Sequence, residues 1–268
     1  MPDAAELLAI AVEIVREAGE TARRMRVEGV SGVTTKSTDT DVVTAADRAV
    51  ERQVVEALRV RRPHDVVLGE EYGASGARER AGDVRWILDP IDGTVNYLYD
   101  LPQYAVSLAA EVNGQVVAGV VRNPATGAEW TATLGGGAYK GGERLHGSPR
   151  AELGQALVGT GFGYDPARRV HQAGVLHGLL GHVRDIRRFG SAALDLCAAA
   201  GGQLDAYYEK GLNPWDHAAG GLVATEAGLV VAGLSGAPPG LDMVVAAPPA
   251  LFKPLHDRLA ELDAAGGP

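Results

Sequence analysis

Trp86-Ile87-Leu88-Asp89-Pro90-Ile91-Asp92-Gly93-Thr94 is the stretch from which the rest of the chain is best read. Its apolar start, Trp86–Leu88, predicts a short buried strand that runs straight into an acidic residue. Pro90 restricts the backbone, and Gly93 permits a sharp turn into whatever follows. Asp89 and Asp92, three residues apart across such a turn, can converge on one point. Two carboxylates about 4 Å apart repel by about 4 kcal/mol at an effective dielectric near 20. A divalent cation removes that cost, and an all-oxygen ligand set favours magnesium, manganese or calcium over zinc. A plain Asp-Gly turn after a strand fits the same residues, so at this point both readings stand. The alternating acidic pattern of an EF-hand is absent.

Three other acidic segments raise the same question. Val66–Leu68 predicts a second short strand, and through Gly69 it delivers Glu70-Glu71, which are either solvated charges or ligands that Gly69 lets a bound group approach. In Asn213-Pro214-Trp215-Asp216, Asn213 suits a helix N-cap and Pro214 the first helical position. Asp216 then sits in the first turn, where the helix dipole favours it with or without a metal. Ala218, Ala219 and Gly220 predict that this helix packs closely on another backbone, and His217 reads as packing or surface. Thr44-Ala45-Ala46-Asp47 reads as a capping box; alternatively, Asp47 orients a hydroxyl that activates water.

Composition narrows the function classes. The chain has 268 residues, of which 46% are hydrophobic, enough for a sizeable core. A net charge of −9 and a pI near 5.3 argue against a general nucleic-acid or anionic-membrane binder. Neither excludes an anionic substrate, because bound cations invert the sign of a local site. Cys197 is the one cysteine, which rules out an internal disulfide and a cysteine zinc cluster, and its apolar helical setting predicts an inert core thiol. No basic segment followed by an apolar run marks a signal peptide, and no apolar run reaches the ~18 residues of a membrane span, so a cytoplasmic enzyme is expected.

Periodicity predicts a layered α/β fold. Leu7, Ile10, Ala11, Ile14, Ala18, Ala22 and Met25 fall at helical spacing, and a second helix carries Val50, Val54 and Leu58 inward. Ala105–Val112 and Gln115–Val121 flank Asn113-Gly114, a strong hairpin signal, and the glycines at 135–137 and 141–142 read as further turns. Strands at Leu157–Thr160, Asp185–Arg187, Asp205–Tyr208 and Met243–Ala246 then alternate with helices near Ala167–Leu179, Ala192–Ala200, Pro214–Ala227 and Pro249–Leu262. No linker is visible, so one domain over 1–268 is expected, with halves of roughly 1–147 and 148–268 packed tightly together.

In order along the chain, Lys36, Asp41 to Asp47, Gly69 to Glu71, Trp86 to Thr94 and Trp215 to Gly220 resemble the motifs of the inositol monophosphatase family. Arg187 to Leu194 and Leu204 to Glu209 look like its substrate-side segments. The resemblance implies an αβαβα sandwich, usually a homodimer, and lithium-sensitive phosphatase activity. It implies that Glu70, Asp89, Asp92, Asp216 and the Ile91 carbonyl hold two or three magnesium ions, with manganese a possible substitute. Glu70, Thr94 and Asp47 would be catalytic, Asp47 orienting Thr94 to help activate water. The Gly93 and Thr94 amides would meet the phosphate, while Gly190, Ser191, Ala192, Glu209 and Asp216 would contact the alcohol. The implied reaction is hydrolysis of myo-inositol monophosphate. Histidinol phosphate, fructose 1,6-bisphosphate or a nucleotide-derived phosphate would use the same chemistry. A regulatory protein retaining the fold is the alternative of another class, and Arg184, Arg187 and Arg188 are candidates for a local basic patch.

Overall fold

Helix α1 (Ala4–Glu28) begins where Asp3 accepts the Ala5 amide, and it buries Leu7, Ala11, Ile14, Ala18 and Ala22 along one face. The computed structural model describes residues 2–39, 41–75 and 82–268. Two short paired strands follow, β1 (Thr34–Thr35) and β2 (Val42–Val43), and then helix α2 (Ala45–Arg61), capped by Thr44. Next come β3 (Val66–Gly69), β4 (Gly73–Ser75), β5 (Val84–Asp92), the short helix α3 (Thr94–Leu98), β6 (Ala105–Val112), β7 (Gln115–Arg122), β8 (Glu129–Thr133), β9 (Gly137–Lys140) and β10 (Glu143–Arg144). The second half comprises β11 (Leu157–Thr160), α4 (Pro166–Leu180), β12 (Asp185–Arg187), α5 (Ala192–Ala200), β13 (Ala206–Glu209), α6 (Pro214–Glu226), β14 (Val230–Ala232), β15 (Val244–Ala247) and α7 (Pro249–Glu261).

The strands form an 8-stranded sheet, ordered β10-β9-β8-β7-β6-β5-β3-β4, and a 5-stranded sheet, ordered β12-β11-β13-β15-β14. Alternation along the strands sends side chains to opposite faces. Trp86, Leu88, Val106, Leu108 and Val120 pack under α1 and α2, whereas Ile87, Ala105, Ala109 and Val121 face α5 and α6. The other side of α5 and α6 meets Tyr207, Val244 and Ala246 of the smaller sheet. Val158, Ala206, Tyr208 and Val245 face the opposite way and pack with Val175 and Leu179 of α4 and Leu251, Leu255 and Leu259 of α7. The layers therefore run αβαβα. The middle helices can lie this close to both sheets because their contacts are small. A Cβ on Gly119 would stand 3.1 Å from Ala219 Cα, and one on Gly220 would stand 3.0 Å from the Ala193 carbonyl oxygen. Ala218, Ala219 and Gly220 thus do what their size predicts.

One sequence expectation changes in a way that matters for the site. The strand expected at Trp86–Leu88 extends through Asp92, so no turn separates the two aspartates. In the pairing with β6, Asp89 lies opposite Ser107 and Asp92 opposite Ala105, so one residue on β5 is in excess. That is a bulge, and Pro90, which has no N–H for the ladder, is suited to it. Residues three apart on a regular strand point to opposite faces; the extra residue resets the alternation and returns Asp92 to the face of Asp89. The turn comes afterwards, at Gly93 with φ 91°, and opens α3. β1, β2, β4, β10 and β14 are further strands that the sequence pattern does not single out, since two or three residues span too little of an alternation.

The other turn expectations hold. Asn113 and Gly114 have φ of 52° and 79°, as the tight hairpin requires. The glycines at 135–137 do form a hairpin turn, and the anion they grip is a side chain: Glu226 accepts from the Gly135 and Gly137 amides at 2.7 and 2.8 Å. Cys197 is fully buried, and burial raises its thiol pKa well above the ordinary value. Among the described residues no helix is long and apolar enough to cross a membrane.

Candidate active site

β3 and β5 run parallel, so their C-terminal ends deliver Glu70 and the Asp89–Asp92 segment to the same edge of the sheet. The start of α6 brings Asp216 to that edge. One carboxylate oxygen from each of Asp89, Asp92 and Asp216 lies within 4.8 Å of the others. Glu70 stands beside this group, where it shares a hydrogen bond with Asp89 and pairs with Lys36 Nζ at 2.8 Å. The surrounding cavity, about 460 Å³, is lined by these carboxylates and Thr94 together with Gly190, Ala192, Glu209 and Trp215. A larger surface groove of about 780 Å³ lies between α1 and β8, where Arg16 pairs with Glu129 at 2.7 Å and Arg122 with Glu129 at 3.2 Å; among the described residues it gathers no set of convergent carboxylates like that of the first cavity.

The electrostatics are those of a site built for cations. Burial raises the Asp89 pKa well above the usual carboxylate range, and the charges of Glu70, Asp92 and Asp216 add to the rise. Burial and the charges of Asp92, Glu70 and Glu209 act likewise on Asp216. Asp92 is pushed up to about 6 by burial, against the opposing effect of the hydrogen bonds it accepts from Ser191 and Ala193. Glu70 is raised by burial, with Lys36 opposing. Burial works against the Lys36 ammonium, yet Glu70 and Glu71 hold its pKa above the ordinary lysine value. One ammonium for four convergent carboxylates leaves most of the negative charge uncompensated. An oxygen-only, buried donor set of this kind fits a hard divalent cation.

Asp216 and Asp47 also have the local capping roles that their sequence contexts predict. Asp216 accepts the Asn213 amide at 2.6 Å at the start of α6. Asp47 Oδ2 accepts from the Thr44 amide at 2.8 Å and the Thr44 hydroxyl at 2.5 Å, closing the capping box. Its other oxygen lies 3.1 Å from Thr94 Oγ, which is also 3.1 Å from the Ile91 carbonyl oxygen. The hydroxyl has one proton and donates to one of these acceptors at a time. Burial raises the Asp47 pKa, and its hydrogen bonds with Thr44 oppose the rise.

Gly93 is constrained twice: its φ is positive, and a Cβ there would stand 2.9 Å from the Gln103 carbonyl oxygen and 3.0 Å from that of Gly190. The segment at 190–192 is thereby pressed onto the start of α3. Asn96 fastens the junction, donating to the Gln103 and Phe189 carbonyls at 2.7 and 2.8 Å. No spacing in the sequence singles out Asn96. Gly190 and Ala192 line the cavity, but Ser191 is 1% exposed and its hydroxyl is committed to Asp92 and the Leu194 amide. Glu209, at the end of β13, accepts from the Tyr207 hydroxyl at 2.5 Å, and burial pushes its pKa up to about 7.

Two other expectations need revision, and a third, His217 as a packing residue, agrees with the structure. The arginines at 184, 187 and 188 do not form one patch: Arg184 donates to the Gln155 carbonyl, Arg187 pairs with Asp185, and Arg188 lines the cavity near the Phe162 ring. Gly69 makes room for the Glu51 carboxylate rather than for a ligand. His217 is largely buried, which lowers its pKa to about 4 and leaves it neutral.

The family model described as "Inositol monophosphatase family" matches residues 3–263, so the motifs and the fold carrying them agree over the whole span. The chain belongs to the inositol monophosphatase family. The inositol-1-monophosphatase of Mycobacterium leprae is 44% identical over 266 residues, covering 93% of this chain and 91% of that protein. The solved structure of Mycobacterium tuberculosis SuhB superposes with a TM-score of 0.84 at 41% identity, covering 99% of this chain and 100% of that one. A Pseudomonas aeruginosa protein named Nus factor SuhB is 38% identical over 234 residues, 86% of each chain. Membership carries the reaction class: this inositol monophosphatase family member is a phosphoric monoester hydrolase.

Proposed function

We propose that the chain hydrolyses myo-inositol monophosphate to inositol and phosphate, with magnesium held by Glu70, Asp89, the Ile91 carbonyl, Asp92 and Asp216. The observation that carries this reading is the convergence of three carboxylates within 4.8 Å, those of Asp89 and Asp92 buried and that of Asp216 half-buried, with Glu70 beside them. Two or three magnesium ions fit the charge, since two already balance four carboxylates and leave room for a dianionic phosphate; manganese is the expected substitute. Bound magnesium supplies charge neutralisation for the phosphate and lowers the pKa of water to generate the nucleophile.

The chain's own residues account for the rest. Asp47 holds Thr94 Oγ in place to take part in water activation. The amide of Thr94 opens α3 and has no acceptor within its own helix, so with the Gly93 amide it is placed to meet a phosphate oxygen. Glu209 and the Gly190–Ala192 segment, beside the acidic group in the same cavity, face the alcohol; a carboxylate there accepts hydrogen bonds from polyol hydroxyls. Residues 1–268 act as one catalytic unit of two packed halves, assembled as a homodimer.

The test is phosphate release from inositol 1-phosphate, histidinol phosphate, fructose 1,6-bisphosphate and a nucleoside 2′-phosphate, with magnesium, manganese or EDTA. Magnesium-dependent turnover fastest on inositol 1-phosphate, and inhibited by lithium, is expected. Activity that survives EDTA would sink the metal reading, whereas a preference for another phosphate would replace only the alcohol. Sedimentation analysis checks the dimer.

A further inference from the structure

Glu51 has no part in the reaction proposed above, yet it is a carboxylate only 1% exposed, close behind the acidic wall. It lies on α2, one turn beyond Asp47 and on the same helix face. Carboxylates are almost never buried so deeply unless their oxygens are bonded. Those of Glu51 take two consecutive amides: Oε2 accepts from Glu71 N–H at 2.8 Å and Oε1 from Tyr72 N–H at 3.0 Å. These are the first two amides after Glu70. The residue before Glu70 is packed on the same carboxylate, since a Cβ on Gly69 would stand 2.0 Å from Glu51 Oε1.

The backbone on both sides of Glu70 is therefore referenced to one side chain. It needs such a fastening. Gly69 and Gly73 face each other across the β3–β4 pair, so glycine flanks the turn that carries Glu70 on both sides. From the cavity side Lys36 holds Glu70 and Glu71 at 2.8 and 2.5 Å, but a lysine on a flexible stem does not set a backbone position. Hydrogen bonds from amides to an ionised acceptor are short and strong, and two on adjacent residues fix direction as well as distance. Through Asp47 and Glu51, helix α2 then governs both Thr94 and Glu70, and keeps the two in register.

We propose that Glu51 is the positioning residue that sets Glu70 against Asp89 for cation binding, acting through the backbone of Gly69, Glu71 and Tyr72. The proposal rests on the metal-binding role of Glu70 given above.

Its test is calorimetric titration of magnesium alone into the metal-free protein, with thermal unfolding as a second readout. Glu51→Gln keeps the shape but turns an amide donor toward one of the two N–H groups. Loss of an outer partner of a metal ligand typically costs about 10–100-fold in affinity, and a weakening of that size is expected, with substrate KM at saturating magnesium unchanged. Gly69→Ala is the second variant: it keeps the Glu51 charge but pushes the carboxylate aside, so it too should weaken magnesium binding and shrink the magnesium-induced rise in Tm. If Glu51→Gln does not fold, Gly69→Ala carries the test. A residue that only stabilised the fold would lower the metal-free Tm and leave magnesium affinity untouched, and that result overturns the proposal. Absence of magnesium binding in the wild type overturns the proposed function as well; wild-type affinity in the variants overturns this inference alone.

Discussion

Ser191 Oγ donates to Asp92 Oδ2 at 2.5 Å, joining the end of β5 to the start of α5 across 99 positions of sequence. The Ala193 amide reaches the same oxygen at 2.8 Å and the Ala192 amide the other at 3.3 Å. Asp92 thus sits at a helix N-terminus, where the free amides and the dipole favour its charged form. Ser191→Ala removes the hydroxyl bond and the α5 cap together. A stability loss of about 1 kcal/mol is expected, with a higher magnesium requirement; thermal unfolding and magnesium titration of activity measure the two effects.

Asp89→Asn should separate stability from function. Burial and three neighbouring carboxylates disfavour the Asp89 charge in the metal-free protein. Removing that charge relieves repulsion, so the variant should melt at a higher temperature than the wild type in EDTA at neutral pH. It should also lose magnesium-dependent turnover and most of the magnesium-induced rise in Tm. A metal-free Tm below that of the wild type would contradict this account.

Thr94→Ala removes the hydroxyl that meets Asp47 Oδ1, and Asp47→Asn removes the charge and turns an amide donor toward either Thr94 Oγ or the Thr44 N–H, so each disrupts the pair. A positioned acid–base partner typically contributes about 10²–10⁴-fold, so kcat should fall by an amount in that range. The double variant should lose little more than either single one, because the two act as one unit. Steady-state kinetics at saturating magnesium decides it.

Gly93→Ala tests the junction between the halves. A side chain there meets both a positive φ and two carbonyl oxygens at 2.9 and 3.0 Å. The backbone conflict alone costs more than about 1 kcal/mol. The variant should melt earlier, and its kcat should fall as the Gly190–Ala192 segment is displaced.

Glu209 carries the pH prediction. Its folded pKa, about 7, lies above the ordinary glutamate value of 4.5, so between these values the folded state holds a proton the unfolded state has lost. Stability from this group is fully present below the unfolded value and is lost as pH rises toward 7. Tyr207, Arg188, Asp92, Asp195 and Asp216 are among the groups that act on it. Glu209→Gln removes the titration, so the variant and the wild type should melt alike near pH 4.5, with the variant gaining as pH rises to 7. A flat Tm difference across that window would rule this out.

The sequence by itself determined most of the elements and the membership of the acidic group. Helical spacing from Leu7 to Met25, the Asn113-Gly114 hairpin and the capping residues Thr44 and Asn213 are local signals, set by backbone geometry and one side of each element. Asp89, Asp92, Asp216, Glu70 and Asp47 were legible because their segments occur in a characteristic order, although each has a sufficient local explanation as turn, cap or surface charge. Tertiary structure decided what that order could not. The bulge at Pro90–Ile91, which puts Asp89 and Asp92 on one face, exists only in the pairing of β5 with β6. The reason Gly69 is glycine lies on a different element, in Glu51. Asn96 and Ser191 act on partners far along the chain, and no spacing rule reaches that distance. Local chemistry sets what each residue can do; only packing brings the charges close enough to raise one another's pKa, and that closeness makes separate carboxylates a cation site.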